Sequence, residues 1–186
     1  MKKIFIISFI FLQTLSFAQD AKEVKERALA LYNTKNYNEA FSLLDNLNSS
    51  DKTKDTFLIL SNIAQEKGND NLAIEYLNKA LDEDYTYYKA YYNLGCIFAK
   101  KKSYLLASNN FELAIKYNKN CSSAYYNLAL CQINNKDYNS AKKNLIKALE
   151  LEPLNKDYYY NLIFCYKELN NTRQAKKMLE AYNKLG

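Results

Sequence analysis

The chain has 186 residues, 48% hydrophobic and 25% charged, with 26 Lys and Arg against 20 Asp and Glu for a net charge of +6. That balance excludes a disordered chain, and three Gly with a single Pro leave little punctuation for the turns of an all-β protein. The absence of His takes away the commonest general base and metal ligand near neutral pH.

Lys2 and Lys3 precede an apolar run from Ile4 to Leu12, and Ser16-Phe17-Ala18 puts small residues at the cleavage positions. This pattern predicts a secretory signal peptide over residues 1–18, cut after Ala18. A run of nine residues is far below the roughly 20 needed to span a bilayer. No Cys follows the cut, so no lipid attachment is expected. The mature chain, 19–186, is expected to be soluble and exported, periplasmic or secreted, with no membrane span. Loss of the two Lys lowers the charge from +6 to +4. Export and a mild, dispersed positive charge both argue against a nucleic-acid partner.

From there the sequence repeats. Leu60, Leu94, Leu128 and Leu162 fall 34 residues apart, as do Ala73, Ala107, Ala141 and Ala175, and Phe57, Tyr91, Tyr125 and Tyr159. Leu77, Phe111, Leu145 and Leu179 keep the same step. A weaker first copy shows in Ala28, Tyr37, Ala40 and Leu44, with Ala40 lying 33 residues before Ala73, so one residue is missing between copies. Five repeats follow, at about 21–53, 54–87, 88–121, 122–155 and 156–186.

In the third copy Ala90, Tyr91, Leu94, Ile97 and Phe98 lie along one helical stripe, and Leu106, Ala107, Phe111, Ala114 and Ile115 along another. Between them Lys100 to Ser103 is short and polar, which predicts a solvated turn and two antiparallel helices. The Ala107 column of one helix and Ser61, Gly95 and Ala129 of the other are small enough to let backbones approach. Gly in a helix costs about 1 kcal/mol relative to Ala, so Gly95 predicts a close crossing. Ile163 breaks that pattern in the last copy.

Tyr125, Leu128, Ala129, Tyr138, Ala141, Leu145, Ala148 and Pro153, with Tyr91, Leu94, Gly95, Phe98, Tyr104, Ala107, Phe111 and Ala114 one period earlier, carry a known signature. The chain resembles the tetratricopeptide repeat family over nearly all of 21–186. The resemblance implies an all-α, right-handed α-solenoid of about five hairpins, with first helices lining a concave groove. It further implies a non-enzymatic adaptor or scaffold that binds a protein or extended peptide there.

The residues after the core aromatics are then the expected contacts: Tyr92, Tyr126 and Tyr160, with Asn93, Asn127 and Asn161, and Leu130 and Phe164 about one turn onward. Rings beside amides suit a peptide's side chains and backbone. The alternative is that Tyr packs across the stack and Asn bonds its neighbours. The family's carboxylate clamp is not expected, because Leu58 and Ser123 stand where cations are needed.

Nothing in the sequence assembles an enzyme: there is no phosphate loop or nucleophile motif, and Asp82-Glu83-Asp84 lies at a helix end without an opposing acid. No cofactor and no metal are expected. Cys131 and Cys165, one repeat apart on helices about 8–10 Å from each other, are expected as buried thiols. A bridge through Cys96 or Cys121 stays open. The last helix carries an apolar stripe, Met178, Leu179, Tyr182 and Leu185, and no further capping helix is expected after it. That stripe is a rival docking surface, for an envelope assembly or a second copy.

Overall fold

The computed structural model describes residues 21–185, so the expected signal peptide over 1–18 lies outside the described residues. The elements are α1 (21–33), α2 (Tyr37–Asp45), a 3-10 turn at Ser49–Asp51, α3 (Lys54–Glu66), α4 (Asp70–Glu83), α5 (Tyr88–Lys100), α6 (Tyr104–Tyr117), α7 (Ser122–Asn134), α8 (Tyr138–Leu151), α9 (Lys156–Glu168) and α10 (Thr172–Asn183). No strand occurs among the described residues. The chain divides into two compact units, Met1–Tyr85 and Thr86–Gly186. In the first, α2 packs on α3 and α3 on α4; in the second, each helix from α5 to α10 packs on the next. This is the all-α, tandem-hairpin architecture of the solenoid class that the 34-residue ladder predicts.

The turns within hairpins are built alike. Gly68, Lys102, Lys136 and Asn170 have φ of 75°, 59°, 60° and 56°, at the spacing of the repeat, and Lys35 has φ 63° in the first copy. A left-handed residue just past a helix lets its own N–H and the one after it bond back to the last turn. Ser103 N–H reaches Phe98 O at 2.9 Å and Asp137 N–H reaches Gln132 O at 2.8 Å. The residue that closes one helix also opens the next. Asn69, Asp137 and Asn171 each accept a backbone N–H of the following helix, from Leu72, Ser140 and Gln174. Such a cap is worth about 1 kcal/mol.

Small residues sit where the crossings require them. Ala73, Ala107 and Ala141 are fully buried and Ala175 is 5% exposed. A methyl group on Gly95 would lie 2.6 Å from the Phe111 ring, which is itself fully buried. The close crossing predicted from Gly95 is therefore present between α5 and α6. One residue departs from the stripe expected on α6: Leu106 is 48% exposed, while Ala107, Phe111 and Ala114 form the buried line. Successive helical residues are about 100° apart, so Leu106 and Ala107 could not share one narrow face. The first repeat is shorter than the others, with nine residues in α2 against 14 in α4.

Candidate partner-binding site

The first helices of the second unit, α5, α7 and α9, present the expected Tyr and Asn columns. Tyr92 rests on Phe111 with ring centroids 5.9 Å apart, and Tyr126 on Tyr158 at 4.7 Å. The amides run between repeats. Asn127 Nδ2 donates to Tyr92 Oη at 3.1 Å, and Asn161 Nδ2 donates to Tyr126 Oη at 3.1 Å and to Asp157 O at 2.9 Å. Burial, and then the neighbouring Cys96 thiol, push the Tyr92 hydroxyl up to about 12. Burial likewise raises Tyr126.

Tyr92 and Tyr126 therefore tie the stack together through their hydroxyls, while Tyr160, the last of the column, is 66% exposed. Asn93 and Leu130 are half-buried on the same helices. Phe164 is 38% exposed and lays its edge on Tyr138, with centroids 5.9 Å apart.

Tyr160, Ile163, Phe164 and Lys167 of α9 join Leu179 and Tyr182 of α10 around an open cavity of about 320 Å³. Two residues expected in the groove and two expected on the terminal surface thus line one cavity. The terminal stripe is divided. Met178 turns to a separate hollow beside Tyr159, Leu162 and Tyr166, and half-buried Leu185 lines neither. Leu179 is 45% exposed. Lys156 Nζ lies 5.7 Å from the centre of the Tyr182 ring, so the rim has cationic as well as aromatic character. Sequence reasoning did not place Ile163 or Lys167 here, although Ile163 stood out as the residue that departs from the small column.

Elsewhere polar side chains hold helices in place. Glu152, just past α8, accepts from Ser122 Oγ, from Tyr158 Oη at 3.1 Å and from Asn155 Nδ2 at 3.4 Å. The Ser122 bond, with those from Tyr158 and Asn155, holds its carboxyl below the usual carboxylate range. In the first unit Lys54 Nζ pairs with Asp84 at 2.6 Å. The acid at 84 is thus a structural partner for α3. Cys96, Cys121, Cys131 and Cys165 are free thiols, and burial raises each of them, Cys165 to about 11. Among the described residues no group of three or more Cys, Asp or Glu is arranged to hold a metal. No described helix is long and apolar enough to cross a membrane.

Two family models, each described as tetratricopeptide repeat, match this chain, one at residues 55–87 and 88–121 and the other at 133–185. The chain belongs to the tetratricopeptide repeat family. Among solved structures it is similar to MamA 41-end from Desulfovibrio magneticus RS-1, with a TM-score of 0.77 and 20% identity over 89% of this chain and 94% of that one. A structure titled crystal structure of MamA protein gives a TM-score of 0.78 and 21% identity, covering 89% of this chain and 91% of that one. A MamA RS-1 double mutant gives 0.79 and 20%, over 89% and 93%. At these identities the likeness is one of fold. No curated protein matches the sequence. As a tetratricopeptide repeat protein the chain is a protein-interaction scaffold by family.

Proposed function

We propose that this tetratricopeptide repeat protein is an exported, non-catalytic adaptor that holds a partner protein at the α9–α10 end of its second unit. The contact is centred on Tyr160, Phe164, Leu179 and Tyr182. The cavity lined by these four supports the reading, because it joins the outer end of the Tyr column to the exposed part of the last helix. Tyr92, Tyr126, Asn127 and Asn161 hold the repeats in line and shape the wall that leads to it. Asn93 and Leu130 extend that wall.

Magnitudes set the kind of binding. If Tyr160, Phe164 and Leu179 each lose about 70 Å² of apolar surface, the gain at about 25 cal/mol per Å² is roughly 5 kcal/mol. Association costs an estimated 4–15 kcal/mol, so this cluster is an anchor and the partner must also touch the neighbouring wall. The same apolar end would serve a second copy of the chain, which is the other reading it supports.

The test is cross-linked co-purification from the native envelope with the parent protein, a Tyr160→Ala/Leu179→Asp variant and a Tyr92→Ala variant, with helicity checked in each. The expected result is a discrete partner lost only with the first variant. Retention by that variant, with loss only in Tyr92→Ala, would move the contact to the inner groove. Sedimentation of the protein alone distinguishes the second reading, which predicts a self-association broken by Leu179→Asp.

A further inference from the structure

The second helices of neighbouring hairpins leave a furrow between them, floored by the first helix that lies between. From α6 to α8 the furrow measures about 340 Å³ and is polar: Glu112, Gln132 and Asn144 line it, and Asn144 Nδ2 donates to Gln132 Oε1 at 2.9 Å. From α8 to α10 it measures about 380 Å³, and Ile146, Tyr166 and Met178 stand at those three positions, one period on. The rest of the floor is alike, with Tyr125 and Leu128 in one and Tyr159 and Leu162 in the other. Since the fold closes the earlier copy with three polar residues, packing does not require the three apolar ones in the later copy. Ile146 is 37% exposed. The opening does not come from where the sequence stops, because the earlier furrow has a whole hairpin after it and is open too.

One end of the later furrow is cationic. Lys142 lies one turn before Ile146 on α8, and its Nζ is 6.0 Å from the centre of the Tyr166 ring on the floor. Its ammonium has no carboxylate partner among the described residues. Ser108 stands at this position in the earlier copy, so the charge belongs to the later furrow alone. Lys177, exposed, precedes Met178 on α10 and stands one period after Lys143, which lines the earlier furrow. At the other end Glu150 is answered by Lys147 at 2.8 Å.

We infer that this furrow is a binding site for a free fatty acid of medium chain length. The acyl chain lies along Ile146, Met178 and Leu149, and the carboxylate sits between Lys142 and Lys177. Seven residues separate Lys142 from Leu149, roughly 10 Å of helix, which limits the length of chain that fits. An apolar trough with a few charged groups at one end is the general form of a small-ligand site, and the flexible thioether of Met adapts to a chain laid against it. A charge-assisted bond to an ammonium then sets which end of the ligand lies where. The furrow shares no residue with the cavity at the α9–α10 end, so this site goes beyond the adaptor reading and does not depend on it.

The earlier furrow supplies the substitutions that test this, because the fold already carries them one period before. Decanoate and its uncharged counterpart decanol are titrated by calorimetry into the parent, Ile146→Glu/Met178→Asn, Lys142→Ser/Lys177→Ser and Leu179→Asp, with melting temperatures compared first. Ile146→Glu alone is added should the double variant melt early. The expected result is saturable, one-site binding of decanoate, at least tenfold weaker in the Ile146 variants and unchanged in Leu179→Asp. The Lys variant should bind decanoate at least fivefold more weakly and decanol as the parent does. No saturable binding below the micelle concentration, or binding untouched by the Ile146 variants, overturns the site. Loss in Leu179→Asp alone would move the ligand to the α9–α10 cavity and likewise overturn it. Decanoate binding that ignores the Lys variant overturns the acid as ligand. Co-sedimentation with phosphatidylglycerol vesicles that Ile146→Glu abolishes would make a membrane the occupant and overturn a free acid.

Discussion

Asn161 Nδ2 donates to the hydroxyl of Tyr126 at 3.1 Å, and the same bond recurs one repeat earlier from Asn127 to Tyr92, also at 3.1 Å. Each pair spans 35 residues, one more than the repeat, so in both the amide of one hairpin meets the ring of the hairpin before. Tyr160 is the next ring in the series and is 66% exposed. The columns that look alike in sequence therefore do different work along their length: inner members bind the repeats to one another, and the outer member faces solvent at the cavity.

The first expectation concerns that bond. Asn161→Ala and Tyr126→Phe should each lower stability by about 1 kcal/mol, since a net hydrogen bond contributes about that much. In a double-mutant cycle by urea denaturation the two losses should be less than additive by about 0.5–1 kcal/mol. Full additivity would mean that the contact is not an energetic link. Asn161 also bonds Asp157 O, so its single loss should be the larger.

Gly95→Ala brings two effects into opposition. Helix propensity favours Ala by about 1 kcal/mol. The added methyl would sit 2.6–2.9 Å from the Phe111 ring, which is fully buried and cannot swing away. Overpacking of this kind typically costs about 1–3 kcal/mol, so the variant should melt lower than the parent. Gly95→Ala with Phe111→Leu should recover part of the loss; a rise in melting temperature for the single variant would show that the crossing has room for a methyl group.

The turns offer stabilisation. Lys102 and Lys136 hold φ of 59° and 60°, where the second repeat has Gly68 at 75°. A left-handed non-Gly residue is strained by about 1–2 kcal/mol, partly offset by the greater chain entropy that Gly loses on folding. Lys102→Gly and Lys136→Gly should each raise stability by about 0.5–1 kcal/mol and be nearly additive, because they lie in separate turns. Differential scanning calorimetry of both singles and the double checks this.

Glu152 supplies an acid-dependent link. Its folded carboxyl is held below the ordinary value of 4.5, chiefly by Ser122 and then by Tyr158 and Asn155. A depressed carboxylate contributes stability that is present above the unfolded pKa and lost as pH falls through the folded pKa. Glu152→Gln should therefore melt lower than the parent at pH 7, and the gap should close as pH drops below about 4.5. A gap of constant size across pH 7 to 3 would contradict the hydrogen-bonded carboxylate.

Much of the fold was legible because burial recurs at a fixed step. Ala107, Phe111 and Leu128 are apolar or small at every period, and a helix pair that packs on its neighbours can bury only those positions. The turn after α5 was legible too, from Lys100 to Ser103. Less could be read where one residue of difference changes a face. Leu106 beside Ala107, and Leu179 beside Met178, share an apolar stripe in sequence but point about 100° apart on a helix. The Tyr and Asn columns read as one surface because sequence shows the repeat within a column. The 35-residue bond between columns appears only when hairpins stack.

If the working surface lies at the Tyr160 end, with Tyr92 tied into the stack, site-specific photo-cross-linking in the native cell will show it. A benzophenone amino acid is placed in turn at 92, 160 and 182, with helicity verified for each, and adducts are identified by mass spectrometry. Adducts to one partner protein from 160 and 182, with none from 92, are the predicted result. Adducts from 92 alone, or to the same partner equally from all three, would return the contact to the length of the groove.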